Sequence, residues 1–249
     1  MLTVPIHPDN GPHRPDSGTI AKPVLVLGAS GEIGQAVVGA LLKANLDVIA
    51  VAPTRDDLAS LVRPAGTTAE LMYVPGNTGT EAAGADLAHA VRLLRRPPGA
   101  VVAMAGGSFT PGRLIDHPVE RLREKLDEDL FPHLVAARHL LPVLAENLAR
   151  GTYLLIGGPA AESPWAGYGH LSVSSAALRM LARALREETL GSSVRVQQLA
   201  VCAPLRTERN REHSCADWPS PDELGRRVVE LLTLAGHEPV VRIDRRRPR

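Results

Sequence analysis

Residues 24–34, VLVLGASGEIG, constrain the fold more than any other stretch of the chain. Four apolar residues, Val24 to Leu27, have the length of a buried strand. A glycine turn follows, and Ile33, Val37, Val38, Leu41 and Leu42 then recur at helical spacing. Gly28, Gly31 and Gly34 are spaced G-x-x-G-x-x-G across the turn. In a strand–turn–helix unit the first such glycine permits the tight turn. The second lets a pyrophosphate approach the backbone, and the third lets helix and strand pack closely. The free N–H groups at the helix start face the phosphate charge. Ser30 and Ile33 lie in the same loop and share its backbone contacts.

The rest of the chain repeats the alternation. Apolar runs at 47–52, 70–74, 100–104, 152–156, 194–201 and 240–243 read as strands. Helical patterns fall at 33–44, 56–62, 81–95, 119–127, 130–149, 171–190 and 222–234, with Pro132 marking a break and Pro142 an end. The strands lack polar alternation, as strands covered on both faces should. The expected fold is therefore a Rossmann-type, doubly wound α/β sheet of about seven parallel strands with helices on both faces. One domain spans 21–245. Residues 1–20, rich in Pro, Gly, His and Asp, read as a mobile tail, and 246–249 as a basic C-terminal tail.

Composition narrows the function by exclusion. The net charge of +1 provides no field for nucleic acid or anionic membrane. Two cysteines, Cys202 and Cys215, with no CxxC and no His pair on a helix face, give neither a disulfide framework nor a metal site. No apolar run is long enough to span a bilayer. The first residues do not read as a signal peptide, so the expected location is cytoplasmic. Lysine is rare: only Lys22, Lys43 and Lys125 occur.

Two features bear on the nucleotide. Glu32 puts a carboxylate beside the phosphate site, where it would repel a dinucleotide. The end of the second strand carries Ala52-Pro53-Thr54-Arg55 in place of the acid that binds the ribose hydroxyls of NAD. Thr54 and Arg55 could meet a 2′-phosphate, so the expected cofactor is NADP, with NAD as the alternative. For Arg55, a solvated residue at a helix start is the competing reading.

The order and spacing of these pieces resemble the short-chain dehydrogenase/reductase family over about residues 22–245. LGASGEIG is similar to its glycine segment. GNTG has Asn77 where the family often has an adenine-contacting Asp. AMAGG keeps Ala105 and Gly106 of the segment after strand four but loses its asparagines. VRVQQLAVCAPLRT resembles strand six and its turn, with Thr207 matching the Thr that holds the nicotinamide amide. GYGHLSVSSAALRMLARALREE is similar to the helix that carries the active-site Tyr and Lys.

The resemblance implies a hydride carrier, a Tyr proton donor, a Lys that lowers its pKa, a Ser that positions the carbonyl and a supporting Asn. In this chain those four positions fall on Leu171, Ser175, Gly158 and Asp129, so all four are vacant or altered. Tyr168 and His170 are the available substitutes. Tyr168 has no Lys downstream of it, because Lys125 is the last in the chain. Otherwise these residues serve loop packing (Tyr168), a solvent-facing position (His170) and a helix cap (Ser172). Asp129 and His133 read as an ordinary i,i+4 surface pair. The expected function is a nucleotide-binding protein with a degenerate site, acting as a non-catalytic partner or sensor. The alternative is an active NAD(P)-dependent oxidoreductase with a relocated donor. The broad apolar face of 171–190 implies assembly, with 130–149, into a homo-oligomer or a hetero-oligomer with a related subunit.

Overall fold

The computed structural model describes residues 22–59, 61–107, 110–146, 150–234 and 238–245. The tails expected at 1–20 and 246–249 lie outside the described residues. Among the described residues seven strands form one parallel sheet: β1 (Val24–Leu27), β2 (Val48–Ala52), β3 (Leu71–Pro75), β4 (Ala100–Ala103), β5 (Gly151–Gly157), β6 (Val194–Val201) and β7 (Val240–Ile243). Their order is β3-β2-β1-β4-β5-β6-β7, so the direction of winding reverses between β1 and β4. Ligands of such sheets bind beyond the strand C-termini at that reversal.

Successive side chains of each strand feed two cores. Val24, Val26, Val48, Ala50, Ala100 and Val102 face α1 (Glu32–Lys43) and α6 (Pro221–Thr233). Leu25, Leu27, Ile49, Val51, Val101 and Leu155 face α2 (Glu81–Arg92), α4 (Phe131–Ala145) and α5 (Gly169–Glu188). This period-two split of all-apolar strands is the origin of the two-layer covering. Gly225 seats α6 against α1, since a Cβ there would lie 2.8 Å from Ala36 O.

Three expectations need correction. The helix expected at 56–62 is a single 3₁₀ turn, Asp56–Leu58. Thr54 and Asp57 make a reciprocal cap that starts it: Thr54 N donates to Asp57 Oδ2 at 3.0 Å and Asp57 N to Thr54 Oγ1 at 3.2 Å. Continuation fails because Pro64 disfavours a helical residue before it, and because Val62 is 80% exposed and finds no core. Pro142 does not end its helix, which runs on to Ala145 with the exposed ring on its outer side. Pro132 does mark a break, at Leu130 between α3 (Val119–Asp129) and α4.

Thirdly, Asp129 and His133 are not a surface pair. The helix break turns both inward, to 9% and 1% exposure. Their hydrogen bonds go to other partners, described below.

Candidate nucleotide and catalytic site

The glycine loop lies at the winding reversal. Gly28 has φ +72°, and a Cβ there would meet Met104 O at 2.5 Å, so β1 and β4 end in contact. A Cβ on Gly34 would lie 2.1 Å from Gly28 O, which is the close helix–strand packing expected of the third glycine. Gly31 differs. It begins α1 with φ −68°, has no side-chain cap, and a Cβ there would meet only Gly28 O, at 3.7 Å. Nothing inside the protein requires glycine at 31. The bare backbone faces outward, at the helix end that favours an anion. Ser30 O accepts from Gln35 Nε2 at 2.8 Å, and Ile33 packs on the α1–α6 core.

The other expected nucleotide contacts follow along the same sheet edge. Thr54 is engaged in capping, and its hydroxyl donates to Asp57 Oδ2 at 2.7 Å. That carboxylate occupies the Thr54 donors a 2′-phosphate would need. Arg55 remains exposed. Asn77 Oδ1 accepts from Gly79 N at 3.0 Å, closing its own turn. Thr207 N donates to Asn210 Oδ1 at 2.9 Å and opens the 3₁₀ turn Glu208–His213. The next amide, Glu208 N, donates to Glu32 Oε1 at 2.7 Å, bringing the segment after β6 onto the glycine loop.

Ala105 and Gly106 are exposed and floor this region. The α3–α4 break carries the polar groups that hold them. Lys125 and Asp129 are the residues α3 buries. Lys125 Nζ lies 2.9 Å from Asp129 Oδ1 and 3.3 Å from Glu128 Oε2. Asp129 Oδ1 also accepts from Gly107 N at 3.0 Å, and Oδ2 accepts from Ser174 Oγ of α5 at 2.7 Å. His133 Nε2 lies 3.2 Å from both the N and O of Ala105. Burial pushes the His133 imidazole down to about 4, against weaker upward effects of the Ala105 backbone and Asp129, so it is neutral at neutral pH. Its Nδ1 is buried without a partner among the described residues. Residues 125, 129 and 133 thus form a ladder at i, i+4 and i+8 that fixes the floor. Sequence reasoning missed it; the available signal was a rare lysine placed i,i+4 from an aspartate.

Two of the positions aligned with the family's catalytic residues, Gly158 and Ser175, lie side by side. A Cβ on Gly158 would lie 3.5 Å from Ser175 Oγ, and Leu171 sits one turn before Ser175, both side chains buried. No phenol or ammonium is found among them. Tyr168 precedes α5, half-buried, its ring edge-on to Trp165 at 6.3 Å. Ser172 is not the helix cap. Its Oγ donates to Tyr168 O and accepts from Trp165 N, both at 3.1 Å.

His170 is not solvent-facing. It is 6% exposed and packs edge-on against His117 at 5.3 Å. Burial lowers its pKa, and His117 and Arg121 lower it further. His117 belongs to a segment that crosses the start of α5, where Gly112 N donates to Gly167 O at 2.7 Å. Cys202, directly after β6, has its thiol pKa raised by burial and then by Asp244.

A family model described as short chain dehydrogenase matches residues 22–216. The chain belongs to the short chain dehydrogenase family. A 3-ketodihydrosphingosine reductase of Dictyostelium discoideum is 27% identical over an alignment of 191 residues, with 67% of this chain and 55% of that protein covered. The chain thus spans about half the length of that relative. A Burkholderia cenocepacia short chain dehydrogenase in complex with NADP superposes with TM-score 0.76 at 20% identity, covering 90% of this chain and 88% of that one. A Pseudomonas aeruginosa short chain oxidoreductase described as containing an atypical catalytic center gives TM-score 0.75 at 19% identity, covering 85% and 90%. These likenesses show the shared Rossmann fold.

Family membership implies a nicotinamide dinucleotide, and the open backbone at Gly31, where a Cβ would meet only Gly28 O at 3.7 Å, leaves room for its pyrophosphate. Such a cofactor supplies hydride chemistry when bound. Among the described residues no group of three or more His, Cys, Asp or Glu could hold a metal, and no helix is long and apolar enough to cross a membrane.

Proposed function

We propose that this protein binds a nicotinamide dinucleotide at the 28–34 loop, the Ala105–Gly106 floor and Thr207, and acts as a non-catalytic, nucleotide-sensing or partner subunit. One observation carries the reading. Gly158 lies beside Ser175 and Leu171 one turn before it on α5, and none of the three offers the phenol or the ammonium that protonates a substrate alkoxide in the family. A positioned general acid contributes about 10²–10⁴-fold, and groups acting as a unit are lost together. The Dictyostelium relative is named for a keto reduction; here the positions that would serve such chemistry are a leucine, a serine and a glycine.

Either NADP or NAD remains compatible with the loop, and Asp57 on Thr54 weighs against a 2′-phosphate. Assembly through 130–149 and 171–190, into a homo-oligomer or with a related subunit, is part of the same proposal. Its support is the apolar surface left on α4 and α5: Phe131 is 46%, Leu134 42%, Val173 39% and Met180 60% exposed. A cytoplasmic location is proposed on the two free cysteines.

A second reading, an oxidoreductase with a relocated donor, is favoured by Tyr168, half-exposed at the start of α5. The test is calorimetric titration with NADH and NADPH, together with their consumption across a panel of ketones and aldehydes. Binding without consumption is the expected result. Robust turnover abolished by Tyr168→Phe establishes the second reading instead.

A further inference from the structure

We infer that Glu32 is a resident anion that latches the nucleotide cleft and sets its selectivity by phosphate charge. The inference rests on the nucleotide-binding reading above and adds the ligand class that the cleft disfavours. Glu32 is the first residue of α1, next to the open backbone of Gly31. Its carboxylate reaches across to accept from Glu208 N at 2.7 Å, 176 positions further along the chain.

The segment it reaches is otherwise tied to itself. Arg206 N donates to Pro219 O at 2.8 Å, Thr207 N to Asn210 Oδ1 at 2.9 Å, and Asn210 Nδ2 to Leu205 O at 2.8 Å. It is preorganised as a flap, and the Glu32 contact docks that flap on the glycine loop.

Two physical consequences follow from one side chain. First, a carboxylate in the opening turn stabilises α1 through the helix dipole. A pyrophosphate brought to the same turn meets a like charge within a few ångström. Secondly, a ligand lying between the glycine loop and the 205–208 segment must part Glu32 from Glu208 N. Both effects act on the diphosphate portion and spare a nucleoside. The latch therefore opposes ligands that carry a diphosphate and leaves a nucleoside without one unaffected. Dinucleotide binding is coupled to release of the flap.

The two effects separate by substitution. Glu32→Gln keeps an oxygen acceptor for Glu208 N and removes the charge; Glu32→Ala removes both. Residue 32 is exposed, so both variants fold, which a thermal melt verifies. Adenosine, ADP and NADH are titrated calorimetrically into the full chain and the two variants at fixed salt. Hydrogen exchange is followed at residues 205–213. Glu32→Gln is expected to tighten ADP and NADH about tenfold, leaving adenosine within about twofold. Glu32→Ala gives at least the same gain and faster exchange at Glu208. ADP and NADH affinities indifferent to residue 32, in proteins that bind them, overturn the latch alone. Failure of all three ligands to bind any of the three proteins overturns the nucleotide reading, and the latch with it.

Discussion

Lys125 Nζ lies 2.9 Å from Asp129 Oδ1, and the ammonium is 3% exposed. This lysine is buried on a helix whose one other buried residue is Asp129, so it lies against its counter-charge. It neutralises the carboxylate that holds Gly107 N from the floor and Ser174 Oγ from α5. Removing one member of a buried pair costs about 3–5 kcal/mol, because the other is stranded, whereas removing both charges together costs far less. Lys125→Met and Asp129→Asn should each destabilise by several kcal/mol, and the double variant by less than either. Urea denaturation of the four proteins measures this. Additive losses would show that the two charges do not depend on each other.

The pH dependence of stability should carry the signature of His133. Its pKa is lowered to about 4 in the folded protein, against about 6.5 when unfolded. The unfolded state binds the proton more readily, so the contribution is complete above about pH 6.5 and is lost as pH falls toward 4. At full extent it amounts to about 3 kcal/mol. His133→Gln should flatten the fall in unfolding free energy between pH 7 and pH 5. An unchanged slope would place the titration elsewhere.

The three loop glycines should separate by function. Gly34→Val forces a Cβ into Gly28 O and Ala29, with no flexible side chain to yield, and should cost more than 2 kcal/mol of stability. Gly31→Val has an ordinary backbone conformation and open space and forfeits only the N-cap preference for glycine, about 1 kcal/mol, so the protein should fold with a small drop in midpoint while dinucleotide binding is lost. Calorimetry on a folded Gly31→Val protein is the check, and retained affinity would place the phosphate elsewhere.

Restoring the family's catalytic residues should require several substitutions at once. The space at Gly158 admits a Ser Cβ at ordinary contact with Ser175. Gly158→Ser, Leu171→Tyr and Ser175→Lys together should yield measurable NADH or NADPH oxidation with a simple ketone, while each alone should do almost nothing. Asp129→Asn, which the family pattern would suggest as a fourth change, should instead reduce the gain, because it removes the nearer of the two carboxylates at Lys125 and leaves Glu128 at 3.3 Å. A quadruple variant that outperforms the triple would contradict the role assigned to that pair.

Assembly should depend on the outer stripes of α4 and α5. Leu134→Arg with Met180→Arg should convert an oligomer into a monomer in sedimentation velocity without lowering the melting temperature of the protomer. A wild-type chain that sediments as a monomer at micromolar concentration, with no partner co-purifying, removes this part of the proposal.

Fold class was legible in the sequence because it depends on local pattern. Apolar runs from Val24 to Ile243, alternating with helical periods and punctuated by Gly28 and Gly34, specify parallel strands covered on both faces, and seven are found. Offsets from a strand end and a helix start were legible too, and Gly158 and Ser175, counted from them, lie side by side. What a side chain does on arrival was not. Asp129, His133 and His170 read as surface residues because charge and polarity predict exposure. Each is instead buried where elements distant in sequence converge: Ser174 and Gly107 on Asp129, Ala105 on His133, His117 on His170. Glu32 reads as a charge beside the phosphate site, and the structure gives it Glu208 N, 176 positions away, as a partner. Hydrogen bonds between residues far apart in sequence leave no period in that sequence; only the tertiary structure decides which polar groups meet.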